Sequence, residues 1–226
     1  MSLHVAITRA APENAHTAAR LQALGAIPLL APLLDIETRA FDANLTGVQA
    51  LLFTSSNGAR ALASQSDVRN VPVFAVGDAT AQSARDLGFA EVQSANGDVA
   101  SLAALATTAL DPRAGKLLHI GGAHIAGDLS GALVKAGFTV ERRVAYEAKA
   151  AVALPEAFSE RLDVVLFHSA RAANALVQLR PAGAEKMTAA CISPAVAEAV
   201  SALPWRRLLV APAPREDVFL KAALGA

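Results

Sequence analysis

The sequence predicts an α/β protein made of two parallel-sheet domains, and three observations carry that reading. Short apolar runs alternate from end to end with alanine-rich amphipathic stretches, the pattern of parallel sheets covered by helices on both faces. Leu52-Phe53-Thr54-Ser55-Ser56-Asn57-Gly58-Ala59 reappears about half a chain later as Leu166-Phe167-His168-Ser169-Ala170-Arg171-Ala172-Ala173, and a repeat of that period is a whole small domain. The 226 residues suit two domains of roughly 100 residues each. Two related lobes imply a cleft, a favoured place for a ligand.

Taken in order, the first half reads as strands at His4 to Thr8, Ile27 to Leu30, Ala50 to Thr54, Val73 to Val76 and Glu91 to Gln93. Helices are expected to begin near Pro12, Ser56, Asp78 and Asp98: proline fits a first helical turn, and the two aspartates can cap. The second half repeats the scheme, with strands at Lys116 to Ile120, Thr139 to Arg143, Val164 to His168, Ala189 to Ile192 and Arg207 to Val210, each except the second followed by a helix. Gly25, Gly88 and Gly137 follow helical patterns where a left-handed C-terminal residue is expected.

Two segments break the pattern at equivalent places in the repeat, Pro28 to Glu37 and Val140 to Lys149. Both are too extended for one short strand and are expected to lead into a small helix, so they read as crossings between lobes. Two crossings make one lobe discontinuous in sequence.

Composition narrows the function. Apolar residues make up 54% of the chain but aromatic residues only 4%, which favours alanine-rich helices laid closely on sheets. Twenty basic residues balance twenty acidic ones, giving no long-range attraction to nucleic acid or to an anionic membrane. Cys191 is the single cysteine, so neither an internal disulfide nor a thiolate cage is available, and burial in an apolar strand is its expected role. The start resembles no signal peptide and no apolar run approaches a membrane span, so a soluble cytoplasmic protein is expected.

The sharpest local signal is a strand that ends in small hydroxyl residues just before a helix, Thr54-Ser55-Ser56 and, less fully, His168-Ser169. In open parallel sheets ligands bind beyond the carboxyl ends of strands, where helix N-termini offer amides to carboxylates or phosphates. The other strand ends supply Thr8-Arg9, Gly77-Asp78-Ala79-Thr80, Gly121-Gly122 and Ser193, and the glycines there would let a ligand approach the backbone. The plainer account of each is a helix cap or a turn glycine. Gly121-Gly122-Ala123-His124 lacks the third glycine of a dinucleotide fingerprint, and no phosphate loop ending in lysine and a hydroxyl residue is present. The five histidines show no metal-ligand spacing, so no metal is expected. His168, at a strand end, could exchange protons near neutral pH, and Tyr146, the single tyrosine, lies on a crossing.

Together, Ile7-Thr8-Arg9, the Pro32 crossing, Phe53-Thr54-Ser55, Val76-Gly77-Asp78-Ala79-Thr80-Ala81, Val144-Ala145-Tyr146 and Phe167-His168-Ser169 resemble the uroporphyrinogen-III synthase family through nearly the whole chain. Val196 departs from it, because many relatives carry threonine there. The resemblance implies two flavodoxin-like domains joined by a two-stranded linker: one from Met1 to about Ile36 plus about Lys149 to Ala226, the other from Glu37 to Ala148. It implies conversion of the linear tetrapyrrole hydroxymethylbilane to uroporphyrinogen III without a cofactor, by a monomer. Tyr146 would then donate to, or position, the departing hydroxyl. Thr8, Arg9, Thr54, Ser55, Ser56, Gly77, Thr80, Gly121, Gly122, Ser169 and Ser193 would hold the substrate's carboxylate arms. The competing readings are a two-lobed protein that binds or senses a small anion without chemistry, and a nucleotide-using enzyme, which the missing phosphate motifs disfavour.

Overall fold

The computed structural model describes residues 2–125 and 127–225. In chain order the strands and helices are β1 (His4–Ile7), α1 (Glu13–Ala23), β2 (Ile27–Leu30), β3 (Leu34–Thr38), β4 (Val48–Phe53), α2 (Ser56–Ala63), β5 (Val73–Ala75), α3 (Asp78–Asp86), β6 (Val92–Ser94) and α4 (Val99–Ala109). There follow β7 (Lys116–Gly122), α5 (Leu129–Lys135), β8 (Val140–Ala150), β9 (Val164–Phe167), α6 (Ala170–Leu179), β10 (Thr188–Cys191), α7 (Pro194–Val200), β11 (Arg207–Val210) and α8 (Glu216–Leu224).

The chain divides into two compact units, one of Met1–Ile36 with Lys149–Ala226 and one of Glu37–Ala148. It passes between them along β3 and β8. These two strands run antiparallel, with the Arg39 amide bonded to the Ala145 carbonyl and the Ala151 amide to the Leu33 carbonyl. The first unit carries a sheet in the order β11-β10-β9-β1-β2, parallel throughout. Numbered along its own chain, that is the 2-1-3-4-5 order of a flavodoxin-like fold. In the second unit, the parallel strands lie in the order β8-β7-β4-β5-β6, which is the same arrangement entered at its third strand.

Both sheets are covered on both faces, and strand alternation sorts the core accordingly. In the first unit Val5, Ile7, Val164 and Leu166 pack with Leu21 of α1 and Phe219 of α8, while Ala6, Val165, Phe167 and Cys191 pack with Ala173, Leu176 and Val200 of α6 and α7. In the second, Leu51, Phe53, Leu118 and Ile120 meet Ala59 and Leu62 of α2, and Leu52, Phe74 and Leu117 meet Leu102 of α4 and Leu133 of α5.

Gly25, Gly88 and Gly137 sit at φ of +79°, +90° and +92°, so each does close its helix with a left-handed residue. Asp98 caps α4 by accepting the Ser101 amide at 2.9 Å. Asp78 does not cap α3, because the extended residue before that helix is Gly77 and Asp78 already lies in the first turn. Burial raises the Cys191 thiol to about 12, which makes it an inert core residue.

A further expectation fails. The segment after β8 does reach a short 3-10 turn at Glu156–Ser159, but no helix follows β3. Asp42 and Asn44 instead accept the amides of Asn44 and Thr46 at 2.9 Å each, and these local turns compete with a helix. Buried Arg143 then clamps the loop by donating to the carbonyls of Asp42 and Asn44.

The close packing that alanine permits is sharpest at Gly58 of α2, where an added Cβ would lie 2.3 Å from the Ile120 carbonyl oxygen and 3.3 Å from Phe53. Ala172 takes the matching place in the second repeat, so only one of the two copies requires glycine. Gly58→Ala should cost about 1–3 kcal/mol in urea unfolding despite alanine's better helix propensity, whereas Ala172→Gly should cost about 1 kcal/mol through propensity and lost packing. A Gly58→Ala variant as stable as the parent would show that α2 can lift off β7 freely.

Candidate functional site

In sheets of this order ligands sit at the carboxyl ends of the two strands where the order reverses. Those strands are β4 and β7 in the second unit and β1 and β9 in the first. The strand ends singled out in the sequence fall on these two pairs and their neighbours.

In the second unit, β4 ends at Phe53 and the chain turns through Thr54, Ser55 and Ser56 into α2. Ser55 is an N-cap whose Oγ accepts the Asn57 amide at 3.2 Å, and Ser56 is the first helical residue. Thr54 is half-buried, with Oγ1 3.2 Å from Nε2 of His119 on β7. The next strand end is barer. Gly77 caps α3 without a side chain, and among the described residues no atom beyond its chain neighbours lies within 4 Å of where its Cβ would stand. Gly77 therefore gives the first-turn amides of α3 no side-chain acceptor, although Asp78 puts a carboxylate beside them. Thr80, in the same turn, is only 7% exposed, and its hydroxyl has no hydrogen-bond partner among the described residues.

The reason for Gly121 and Gly122 differs from the sequence reading. The room their missing side chains leave is filled by the protein itself rather than left open to a ligand. A Cβ on Gly121 would lie 2.9 Å from His119 Nε2, and one on Gly122 would lie 2.8 Å from Cε2 and 3.2 Å from the hydroxyl of Tyr146. The Tyr146 contact depends on an irregularity in the ladder. Gly121 pairs with Val144 but Gly122 pairs with Tyr146, so β8 holds one extra residue there. That bulge turns Tyr146 onto the face of Ile120 and Ala145, where its ring lies over Gly122. The half-buried phenol hydroxyl has no hydrogen-bond partner among the described residues. Arg142 donates to the Gly122 carbonyl and completes this corner.

In the first unit, the Thr8 side chain is taken up by the fold. It is fully buried and donates to the Leu166 carbonyl at 2.7 Å, tying β1 to β9, so its hydroxyl is closed to a ligand. Arg9 is likewise engaged, with the Thr17 hydroxyl at 3.3 Å and Glu216 at 3.2 Å. Ser169 caps α6 through the Ala172 amide at 3.2 Å. Ser193 caps α7 with no side-chain bond, ahead of Pro194. A cavity of about 290 Å³ opens beyond β1 and β2, lined by Ala10, Asn14, Pro32, Leu34 and Ala151 among others.

Sequence reasoning missed the centre of this corner, Glu216. Its carboxylate accepts from Thr17 at 2.7 Å, from Arg9 at 3.2 Å and from His168 Nε2 at 3.1 Å, while the His168 ring stands edge-on to Phe219, 5.0 Å between centroids. Burial works to raise the carboxyl, but the His168 and Thr17 hydrogen bonds and the Arg9 charge outweigh it and hold Glu216 at about 2. Burial also lowers His168 in spite of Glu216, so the imidazole is neutral at neutral pH and its Nε2 carries the proton shared with the carboxylate. The only local hint was an acidic residue in a helix first turn, which reads as a dipole partner. Its partners lie 48 and 207 positions away. Among the described residues no group of three or more His, Cys, Asp or Glu is placed to hold a metal ion, and no helix is long and apolar enough to cross a membrane.

These sheets and strand ends can be set beside known proteins. A family model described as uroporphyrinogen-III synthase HemD matches residues 15–221. The chain belongs to the uroporphyrinogen-III synthase family, cyclising lyases of tetrapyrrole biosynthesis. A solved uroporphyrinogen-III synthetase from Helicobacter pylori is similar at 19% identity, over 100% of this chain and 99% of that one, with a TM-score of 0.71. A mutant uroporphyrinogen III synthase from the extremely thermophilic bacterium Thermus thermophilus is similar at 20% identity, over 99% of each chain, with a TM-score of 0.56. At these identities the two structures speak for the fold. No curated protein matches the chain by sequence.

Because Glu216 is held at about 2 against an ordinary 4.5, its network should stabilise the fold fully above pH 4.5 and progressively less as pH falls toward 2. Glu216→Gln should lower Tm clearly at pH 7, by several degrees for a loss of about 1–3 kcal/mol. The gap from the parent should close below pH 4. A gap equal at pH 7 and pH 3 would show that the charge of Glu216 is not what holds α8.

Proposed function

We infer that this chain carries out its family's reaction: loss of water from hydroxymethylbilane, inversion of ring D and closure of the macrocycle to uroporphyrinogen III. The family match over residues 15–221 carries this reading. The substrate is a flexible polycarboxylate, and the strand ends supply donors suited to carboxylates without a basic patch. In the second unit these are the open first-turn amides of α3 behind Gly77, the Thr80 and Thr54 hydroxyls, and the residues around Ser55 and Ser56. In the first unit Ser169 and Ser193 stand at helix starts. Thr8 and Arg9 contribute by shaping the end of β1, given their bonds to Leu166, Thr17 and Glu216.

Loss of the hydroxyl as water leaves an electron-poor azafulvene cation, so the site needs a proton donor or hydrogen-bond donor there and must keep strong nucleophiles away. Tyr146 suits this. Its hydroxyl has no partner among the described residues, and the ring is held over Gly122 by the β8 bulge. The buried, non-nucleophilic Cys191 is compatible with such an intermediate. Most of the remaining work is bringing the two ends of the bilane together, an effect worth on the order of 7 kcal/mol or more when geometry is ideal. The single buried cysteine, with no partner for an internal disulfide, fits a reducing compartment such as the cytoplasm.

Incubation with enzymatically generated hydroxymethylbilane, followed by separation of the oxidised isomers, tests the reaction: isomer III should dominate, and isomer I alone would refute it. Tyr146→Phe should lower kcat by about 10- to 1,000-fold with little change in KM, and an unchanged kcat would remove Tyr146 from the chemistry. Thr80→Val, which keeps the shape and removes the hydroxyl, should instead raise KM by roughly tenfold.

A further inference from the structure

We propose that His119 is a positioning residue that sets the direction in which Thr54 donates. This rests on the reading of Thr54 as a donor to a substrate carboxylate. The geometry is a pair of buried His119 and half-buried Thr54 at the point where strand order reverses, with His119 Nε2 3.2 Å from Thr54 Oγ1. His119 is 4% exposed, and its other ring nitrogen, Nδ1, is buried with no hydrogen-bond partner.

A neutral imidazole has one proton to place, and the two choices have opposite consequences for Thr54. With the proton on Nδ1, a buried N–H donor would face no acceptor, and the Thr54 proton would be used up on Nε2. Thr54 would then show only lone pairs to its surroundings and would repel a carboxylate. With the proton on Nε2, only a lone pair is left unmet at Nδ1, and a bare acceptor is tolerated more readily than a bare donor. Nε2–H then donates to Thr54 Oγ1, and the Thr54 hydroxyl proton is free to point away from the ring. Double protonation is opposed by burial and by the charge of Arg142, the register partner of His119 on β8, which together lower His119 to about 4. His119 is therefore neutral at neutral pH.

The surroundings hold the ring in place. Gly121 is where a side chain would strike His119 Nε2, at 2.9 Å from an added Cβ, so the glycine keeps room for this imidazole orientation. In the other repeat the residue matching Thr54 is His168, which faces a carboxylate rather than a hydroxyl. The pairing of His119 with Thr54 thus belongs to one unit only.

Two measurements decide the matter. Long-range nitrogen-15 correlation spectra of the whole protein at pH 7 should show His119 as the Nε2–H tautomer, and the Nδ1–H tautomer would overturn the proposal without reference to activity. In steady-state kinetics, Thr54→Val and His119→Leu should each raise KM about tenfold with kcat within about twofold, and the double variant should be no worse than either alone. His119→Gln, whose amide can donate from a similar position, should restore most of the parent KM. If Thr54→Val leaves KM unchanged, the reading of Thr54 as a substrate donor fails. If Thr54→Val raises KM but His119→Leu, folded by its thermal melt, does not, or if the two effects add in full, then Thr54 binds substrate without His119 directing it.

Discussion

Parallel hydrogen bonding between β1 and β9 and between β4 and β7 is the constraint on which the rest of the structure depends. A parallel ladder sends the carboxyl ends of both strands the same way, and the connections must return over a face of the sheet as helices. In the second unit this places the turn after Phe53 beside the end of β7, so Thr54 and His119, 65 positions apart, come within a hydrogen bond. In the first it places the ends of β1 and β9 side by side, with the start of α8 close enough for Glu216 to gather Arg9, Thr17 and His168. An antiparallel pairing would send one member of each pair to the opposite end of the sheet.

Small residues let those ladders carry helices at close range. Gly58 brings α2 onto the Ile120 carbonyl, and the pair Gly121 and Gly122 makes room for the His119 ring on one face and the Tyr146 ring on the other. With aromatic residues at only 4% of the chain, the core fills space by approach rather than by bulk. Such packing leaves little tolerance for an added methyl group where backbone is the neighbour. The same closeness aims the candidate site, because a bulge of one residue in β8 is enough to turn Tyr146 across the sheet.

Buried polar groups then divide into two kinds. Glu216 has donors from three side chains and remains ionised, so it joins α8 to α1, β1 and β9. Thr80 and the Tyr146 hydroxyl lack partners among the described residues, and Thr54 can keep its proton free when His119 supplies the other half of their bond. Satisfied groups hold the frame, while Thr54, Thr80 and Tyr146 carry donors the frame does not use, at or beside the carboxyl ends of β4, β5 and β7.

The amino-acid sequence by itself determined the alternation of strand and helix, the repeat, the positions of the two crossings, the left-handed glycines and the strand-end clusters, because each of these is written in neighbouring residues or in a regular period. It carried the family resemblance as well, through short motifs in a fixed order. Only the tertiary structure decided what each strand-end residue does. Thr8 is buried against Leu166, Gly121 and Gly122 lie beneath His119 and Tyr146, and Glu216 is the centre of a buried network. The loop after β3 also went against expectation, since Arg143, about a hundred positions on, holds it open by its carbonyls. Apart from His119 and Gly121, which sit two positions apart on β7, the physical reason is shared: a side chain's partners across the sheet are set by register and crossover, and these join residues whose distance along the chain leaves no mark in local pattern.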